Sequence, residues 1–146
     1  MDVGEFAAFA KRGLEPVGAA TLLWGREGRI LLVREKSSAG KEAAWATPGG
    51  FADAGEGPEA CAVREAREEA GVDIRLTGLT KVIVCHVTHG ARALDFTFFQ
   101  FEGTIARGTP RPGAGIDAIA WFDRLPDAMH FRRDYREAWM RGRPRL

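Results

Sequence analysis

The chain has 146 residues, 45% apolar and 28% charged, which suits a single domain over 1–146 with a buried core and excludes a disordered chain. Its 21 basic and 20 acidic residues leave a net charge of +1, so there is no global field to gather nucleic acid or an anionic membrane, and neither is expected as a partner. No apolar run approaches a membrane span of about 20 residues, the N-terminus carries an acid at position 2 and no long apolar core, and Cys61 and Cys85 make no disulfide framework, so a reduced, cytoplasmic setting is expected.

In chain order, residues 3–11 read as a short helix that Pro16 ends, and Val17–Trp24 as a buried strand. Gly25–Gly28 is a turn and Arg29–Glu35 a second strand, which makes a hairpin. A polar loop over Ser37–Ala44 precedes a short strand, Trp45–Thr47, halted by Pro48, Gly49 and Gly50. Residues 58–70 read as a helix, with Pro58 suited to its first position and Gly71 to its C-terminal cap. Ala62, Val63, Ala66 and Ala70 share one arc, and their small or branched side chains let such a helix sit close to a sheet. Arg75–Leu79, Lys81–Val87, Ala93–Ile105 and Ala118–Phe122 follow as strands, the third apolar on both faces around Phe96–Phe101 and so covered on both sides. Phe131, Tyr135 and Trp139 suggest a last helix over Phe131–Met140. The order is that of an α/β protein, a mixed β-sheet sandwiched between helices.

The other face of the central helix carries the chemistry. Glu65, Glu68 and Glu69 stand at i, i+3 and i+4, so their carboxylates point the same way. Residues 50–72 hold six acids and two bases inside a neutral protein. Glu68 and Glu69 also fall in the last helical turn, where the helix dipole disfavours acids and like charges at i, i+4 repel. A solvated charged face is one reading. A hard divalent cation held by oxygen ligands is the other.

From Gly50 the chain runs five residues to Glu56, seven more to Arg64-Glu65, and on through Glu68-Glu69 to Gly71-Val72. This resembles the Nudix box, G-x5-E-x7-R-E-U-x-E-E-x-G-U with U a bulky aliphatic. Every fixed identity matches, and the departure is Ala66, smaller than the usual aliphatic. Trp45-Ala-Thr-Pro48-Gly49-Gly50, Leu31–Arg34 and Trp121-Phe122 with Leu125-Pro126 also look like the family, so the resemblance spans roughly Val17 to Pro126.

The resemblance implies a Nudix-like α/β/α sandwich and a Mg²⁺- or Mn²⁺-dependent pyrophosphohydrolase. Its substrate would be a small nucleotide, a nucleoside diphosphate linked to another moiety: a nucleotide, ADP-ribose, a nucleotide sugar or a dinucleoside polyphosphate. By the same resemblance Glu68 and Glu69 are the main metal ligands, and Glu65 is a ligand or the general base. Glu56 is a ligand or lies behind the ligands, Arg64 orients a carboxylate, and the Gly50 carbonyl offers itself to a metal. Asp117, four residues before Trp121, is the candidate for a further ligand or base from a loop near the last strand, and Arg34 is the candidate phosphate contact. A non-catalytic nucleotide sensor on the same fold is the alternative, and a homodimer stays open. Cys85, His86 and His89 look like a metal cluster but alternate sides along a strand, and Gly40-Lys41 lacks the upstream glycine of a phosphate-binding loop. The Arg-rich stretch Met140–Leu146 reads as a solvated terminus.

Overall fold

The computed structural model describes residues 16–36, 43–130 and 135–136. The proposed N-terminal helix, most of the Ser37–Ala44 loop and the Arg-rich terminus lie outside these residues. Of the proposed last helix, Tyr135 and Arg136 are described, and both are helical.

Among the described residues the strands are β1 (Val17–Trp24), β2 (Ile30–Glu35), β3 (Trp45–Ala46), β4 (Gly49–Phe51), β5 (Asp73–His89), β6 (Arg92–Arg107) and β7 (Ile116–Phe122), with one long helix, α1 (Pro58–Ala70). The main path of the sheet is β3-β2-β1-β6-β5, with β4 paired to β1 and β7 to β2. β1 and β6 are parallel, Val17 beside Thr97 through Trp24 beside Thr104. The other named pairs are antiparallel, so the sheet is mixed.

α1 spans the residues that the sequence assigned to it, starts on Pro58 and ends on Gly71 in the left-handed region at φ 68°. Its Ala66 and Ala70 pack with Leu23, Leu31, Val33, Val72, Ile74 and Ile116. Cys61 and Ala62 pack with Ala19 and Phe101. The opposite sheet face buries Leu22, Trp24, Ile30, Leu32, Leu125, Met129 and Tyr135, with Phe98 against them. Phe98 and Phe101 thus meet apolar layers on the two sides of β6, as the Phe-rich strand required.

Two assignments need amendment. The strand at Trp45–Ala46 stops before Pro48 as expected, but Gly49–Phe51 then forms a further strand, β4, along the first half of β1. The absence of side chains makes this pairing fit: a Cβ on Gly49 would stand 2.4 Å from that of Ala20. The strands proposed on either side of Thr80 are one strand, β5. It stays paired to β6 through register shifts at Leu76/Gly78 and Leu79/Lys81. Two such irregularities interrupt the side-chain alternation that a sequence reading follows.

No helix among the described residues is long and apolar enough to cross a membrane.

Candidate active site

Arg64, on the second turn of α1, is the hub. Its guanidinium grips Glu56 with two parallel bonds, Nε to Oε2 at 2.8 Å and Nη2 to Oε1 at 2.9 Å. Nη1 donates to Glu65 at 3.1 Å and to Glu68 at 2.9 Å, and Nη2 donates to the Phe51 carbonyl at 3.0 Å. Asp53 adds a looser contact at 3.4 Å. The fork geometry of arginine makes this many-sided grip available where lysine could not.

The loop before α1 presents Glu56 to the hub. Asp53 N–H donates to Glu56 Oε1 at 3.2 Å, and Glu56 N–H donates back to the Asp53 carbonyl at 3.0 Å. The Arg64 guanidinium holds the Glu56 carboxyl below the ordinary carboxylate range.

Glu69 is held differently. Its Oε1 accepts a 2.7 Å hydrogen bond from the Gly49 backbone N–H. Burial pushes its carboxyl up to about 8, and the negative charges of Glu65, Glu35 and Glu68 push the same way against the pull of the Gly49 bond. Glu65 is also raised, chiefly by burial. Its Oε1 stands 2.6 Å from where a Cβ on Gly50 would be, so a bare backbone at position 50 is what admits Glu65. Burial raises the Cys61 thiol to about 11, so this neighbour is an inert packing group.

One guanidinium thus faces four carboxylates, while Glu69 turns to the backbone. The donors are all oxygen and their charge is under-compensated, which fits a hard divalent cation. Among the described residues no three acidic, histidine or cysteine side chains stand close enough to hold an ion as they are placed. Arg64 draws Glu65 and Glu68 toward itself, and Gly49 holds Glu69.

The NUDIX domain family model matches residues 14–137. The chain belongs to the Nudix family. A NUDIX hydrolase from Nitrosomonas europaea is 25% identical, with 89% of this chain and 91% of that one covered and a TM-score of 0.69. A MutT NUDIX hydrolase from Burkholderia pseudomallei is 29% identical over 86% of this chain and 95% of that one, with a TM-score of 0.63. An ADP-ribose pyrophosphatase from Streptococcus suis shares the fold at 18% identity, 91% and 96% coverage and a TM-score of 0.66. The protein is a Nudix-type hydrolase with the α/β/α sandwich expected from its box.

Within this Nudix domain the box residues Glu56, Arg64, Glu65 and Glu68 come together, and Gly50 lies against Glu65. Arg34 and Asp117 form a separate pair, Nε to Oδ1 at 2.8 Å, with the Arg34 guanidinium 5.4 Å from the Trp45 ring centre. Asp117 is the second residue of β7 rather than part of a loop. Arg34 continues the Ile30 and Leu32 side of β2, away from α1, whereas Glu35, past a register shift against β7, is near enough for its charge to act on Glu69.

Sequence reasoning missed Glu35, the Gly49 N–H and Asp53. The Asp53–Glu56 spacing before a helix was a usable sign of a turn. Nothing local marks Glu35 or Gly49, whose proximity to Glu69 comes from sheet pairing. His86, from the rejected cysteine and histidine cluster, has its Nδ1 2.5 Å from Asp95 Oδ1.

Proposed function

We propose that this Nudix hydrolase cleaves the phosphoric anhydride of a nucleoside diphosphate linked to another moiety, with Mg²⁺ or Mn²⁺. The single observation that carries this reading is Glu69: a desolvated carboxyl, fixed by a backbone N–H, amid three further carboxylates. Such a group gains most from a divalent cation.

Glu68 and Glu69 would be the principal ligands, with Glu65 and the Gly50 carbonyl beside them. When bound, the cation would neutralise phosphate oxygens and make water a better nucleophile. Glu65, raised by burial, is suited to accept the proton of the attacking water at its carboxylate. Glu56 and Arg64 keep the carboxylates aimed, since Arg64 contacts Glu56, Glu65 and Glu68 at once. Arg34 would bind a phosphate or the linked moiety, and its pairing with Asp117 and Trp45 supports Asp117 as the residue that aims it. The box holds no serine or histidine, and its one cysteine, Cys61, is a buried thiol raised to about 11 that donates to the Gly50 carbonyl, so water rather than a side chain attacks phosphorus. A small nucleotide is thus the partner, in a setting proposed to be cytoplasmic.

The test is a nucleotide panel containing nucleoside triphosphates, ADP-ribose, nucleotide sugars and dinucleoside polyphosphates, assayed with Mg²⁺, with Mn²⁺ and with EDTA. Turnover of at least one compound that EDTA abolishes is the expected result. Full turnover in EDTA, or binding without turnover across the panel, would overturn it. Hydrolysis in ¹⁸O-water should label a phosphoryl product.

A further inference from the structure

The carboxylate end of α1 is held by a connection distant in sequence. A helix leaves its last carbonyls without partners inside the helix. Here the Glu69 carbonyl accepts from Gly113 N–H at 3.0 Å, and the Ala70 carbonyl accepts from Arg111 N–H at 2.9 Å. The same connection, residues 108–115 between β6 and β7, is tied to the end of β2, where Lys36 N–H donates to the Gly115 carbonyl at 2.9 Å. Pro110 and Pro112 restrict the backbone on either side of Arg111.

The contact at Gly113 is too close for any side chain. A Cβ there would stand 1.7 Å from the Glu68 carbonyl oxygen and 3.1 Å from the Glu69 Cα. These are backbone atoms of the two residues whose carboxylates project from the last helical turn. A side chain at 113 must therefore push the connection off the helix end or displace the backbone that carries Glu68 and Glu69.

We propose that the 108–115 connection is a positioning device for the cation-binding end of α1, with Gly113 as its contact residue. The inference rests on the reading of Glu68 and Glu69 as cation ligands and extends it to residues outside the Nudix box. Gly113 touches neither substrate nor cation. It fixes the direction from which the two carboxylates leave the helix and couples that direction to the end of β2, beside Glu35.

The test compares the full chain with Gly113→Ala and Arg111→Pro. The second variant leaves Gly113 bare and instead replaces the donor to Ala70 with a proline ring carbon facing that carbonyl. Gly90→Ala is the control: it strains a left-handed position, φ 62°, in open space at the β5–β6 turn. Mg²⁺ binding is read by calorimetry without nucleotide, and stability by thermal melting in EDTA. Gly113→Ala and Arg111→Pro should bind Mg²⁺ about tenfold more weakly or worse, in the range seen when groups behind a metal ligand are lost. Gly90→Ala should melt lower and keep wild-type Mg²⁺ affinity. If Gly113→Ala does not fold, Arg111→Pro decides. Folded variants with wild-type Mg²⁺ affinity would overturn the positioning role and leave the cation reading standing. A wild-type protein without Mg²⁺ binding would overturn both.

Discussion

Glu69 Oε1 and the Gly49 backbone N–H are joined by a 2.7 Å hydrogen bond across 20 residues of sequence. It ties the last turn of α1 to β4, and β4 to the first half of β1. The most desolvated carboxyl of the cluster is therefore anchored to the sheet rather than to its charged neighbours.

The elevated Glu69 carboxyl predicts a pH dependence of the metal-free protein. Its folded value, about 8, lies above the unfolded carboxylate value near 4.3. Its contribution to stability is complete below the unfolded value and is lost as pH climbs through about 8. Glu65 acts in the same direction. Glu56 is lowered, so its contribution is present above the unfolded value and is lost only in acid. Between pH 5.5 and 8.5 the melting temperature in EDTA should fall, and Glu69→Gln should flatten the slope. Mg²⁺ binding near neutral pH should release protons, seen by calorimetry in buffers of different ionisation enthalpy. A flat wild-type profile would contradict this account.

Glu68→Gln separates function from stability. Glu68 opposes the helix dipole but pairs with Arg64 at 2.9 Å, and its side chain is 57% exposed. These opposing effects should leave the metal-free melting temperature close to wild type, within about 0.5 kcal/mol. Wild type alone should gain full stabilisation from millimolar Mg²⁺, and mutant turnover should fall by about 10²-fold or more. Wild-type kcat with no Mg²⁺-dependent difference would mean a merely solvated glutamate.

Arg64→Lys should be costly although it conserves charge. An ammonium cannot grip Glu56 with two parallel bonds while also reaching Glu65, Glu68 and the Phe51 carbonyl. Glu56 and Glu65 are 16% and 13% exposed at the side chain, so losing their partner leaves poorly solvated charge. A loss of about 2 kcal/mol is expected, seen as a melting temperature lower by roughly 5–8 °C. Thermal melting in EDTA checks it, and an unchanged transition would show that the hub holds little together.

Asp117→Asn tests the second pair. If Asp117 aims Arg34, KM should rise about fivefold while kcat stays within about threefold, since a surface ion pair contributes about 1 kcal/mol or less. Arg34→Gln should abolish most of the effect of the Asp117 change in a double-mutant cycle. A tenfold or larger fall in kcat would instead assign Asp117 to proton transfer or cation binding.

What the sequence disclosed, and what it hid, divides along physical lines. α1 and its caps were legible because Pro58, the small-residue arc and Gly71 act locally. β1 was legible as a largely apolar run broken only by Thr21. β4 was not, because glycine reads as a breaker unless the neighbouring strand is known. The resemblance to the box implied that Arg64 orients a carboxylate, but its contacts with Asp53 and the Phe51 carbonyl could not be read from it. Glu35 and Gly49 come to the Glu69 carboxyl, and Gly113 to the backbone of Glu68 and Glu69, only through pairings distant in sequence, which no local periodicity encodes.

The parallel pairing of β1 with β6 also sets an order of assembly. β1 must wait for a partner about 80 residues later, and β2 waits as long for β7, a high contact order that predicts folding in milliseconds to seconds rather than microseconds. A nascent chain that has emerged only through α1 can form the β1–β2 hairpin and the β1–β4 pairing, but neither the centre of the sheet nor the 108–115 clasp. The end of its carboxylate-rich helix is thus clasped only after residues 108–115 have been made, and truncation before β7 should leave a chain that exposes its apolar strands to chaperones instead of a smaller working enzyme.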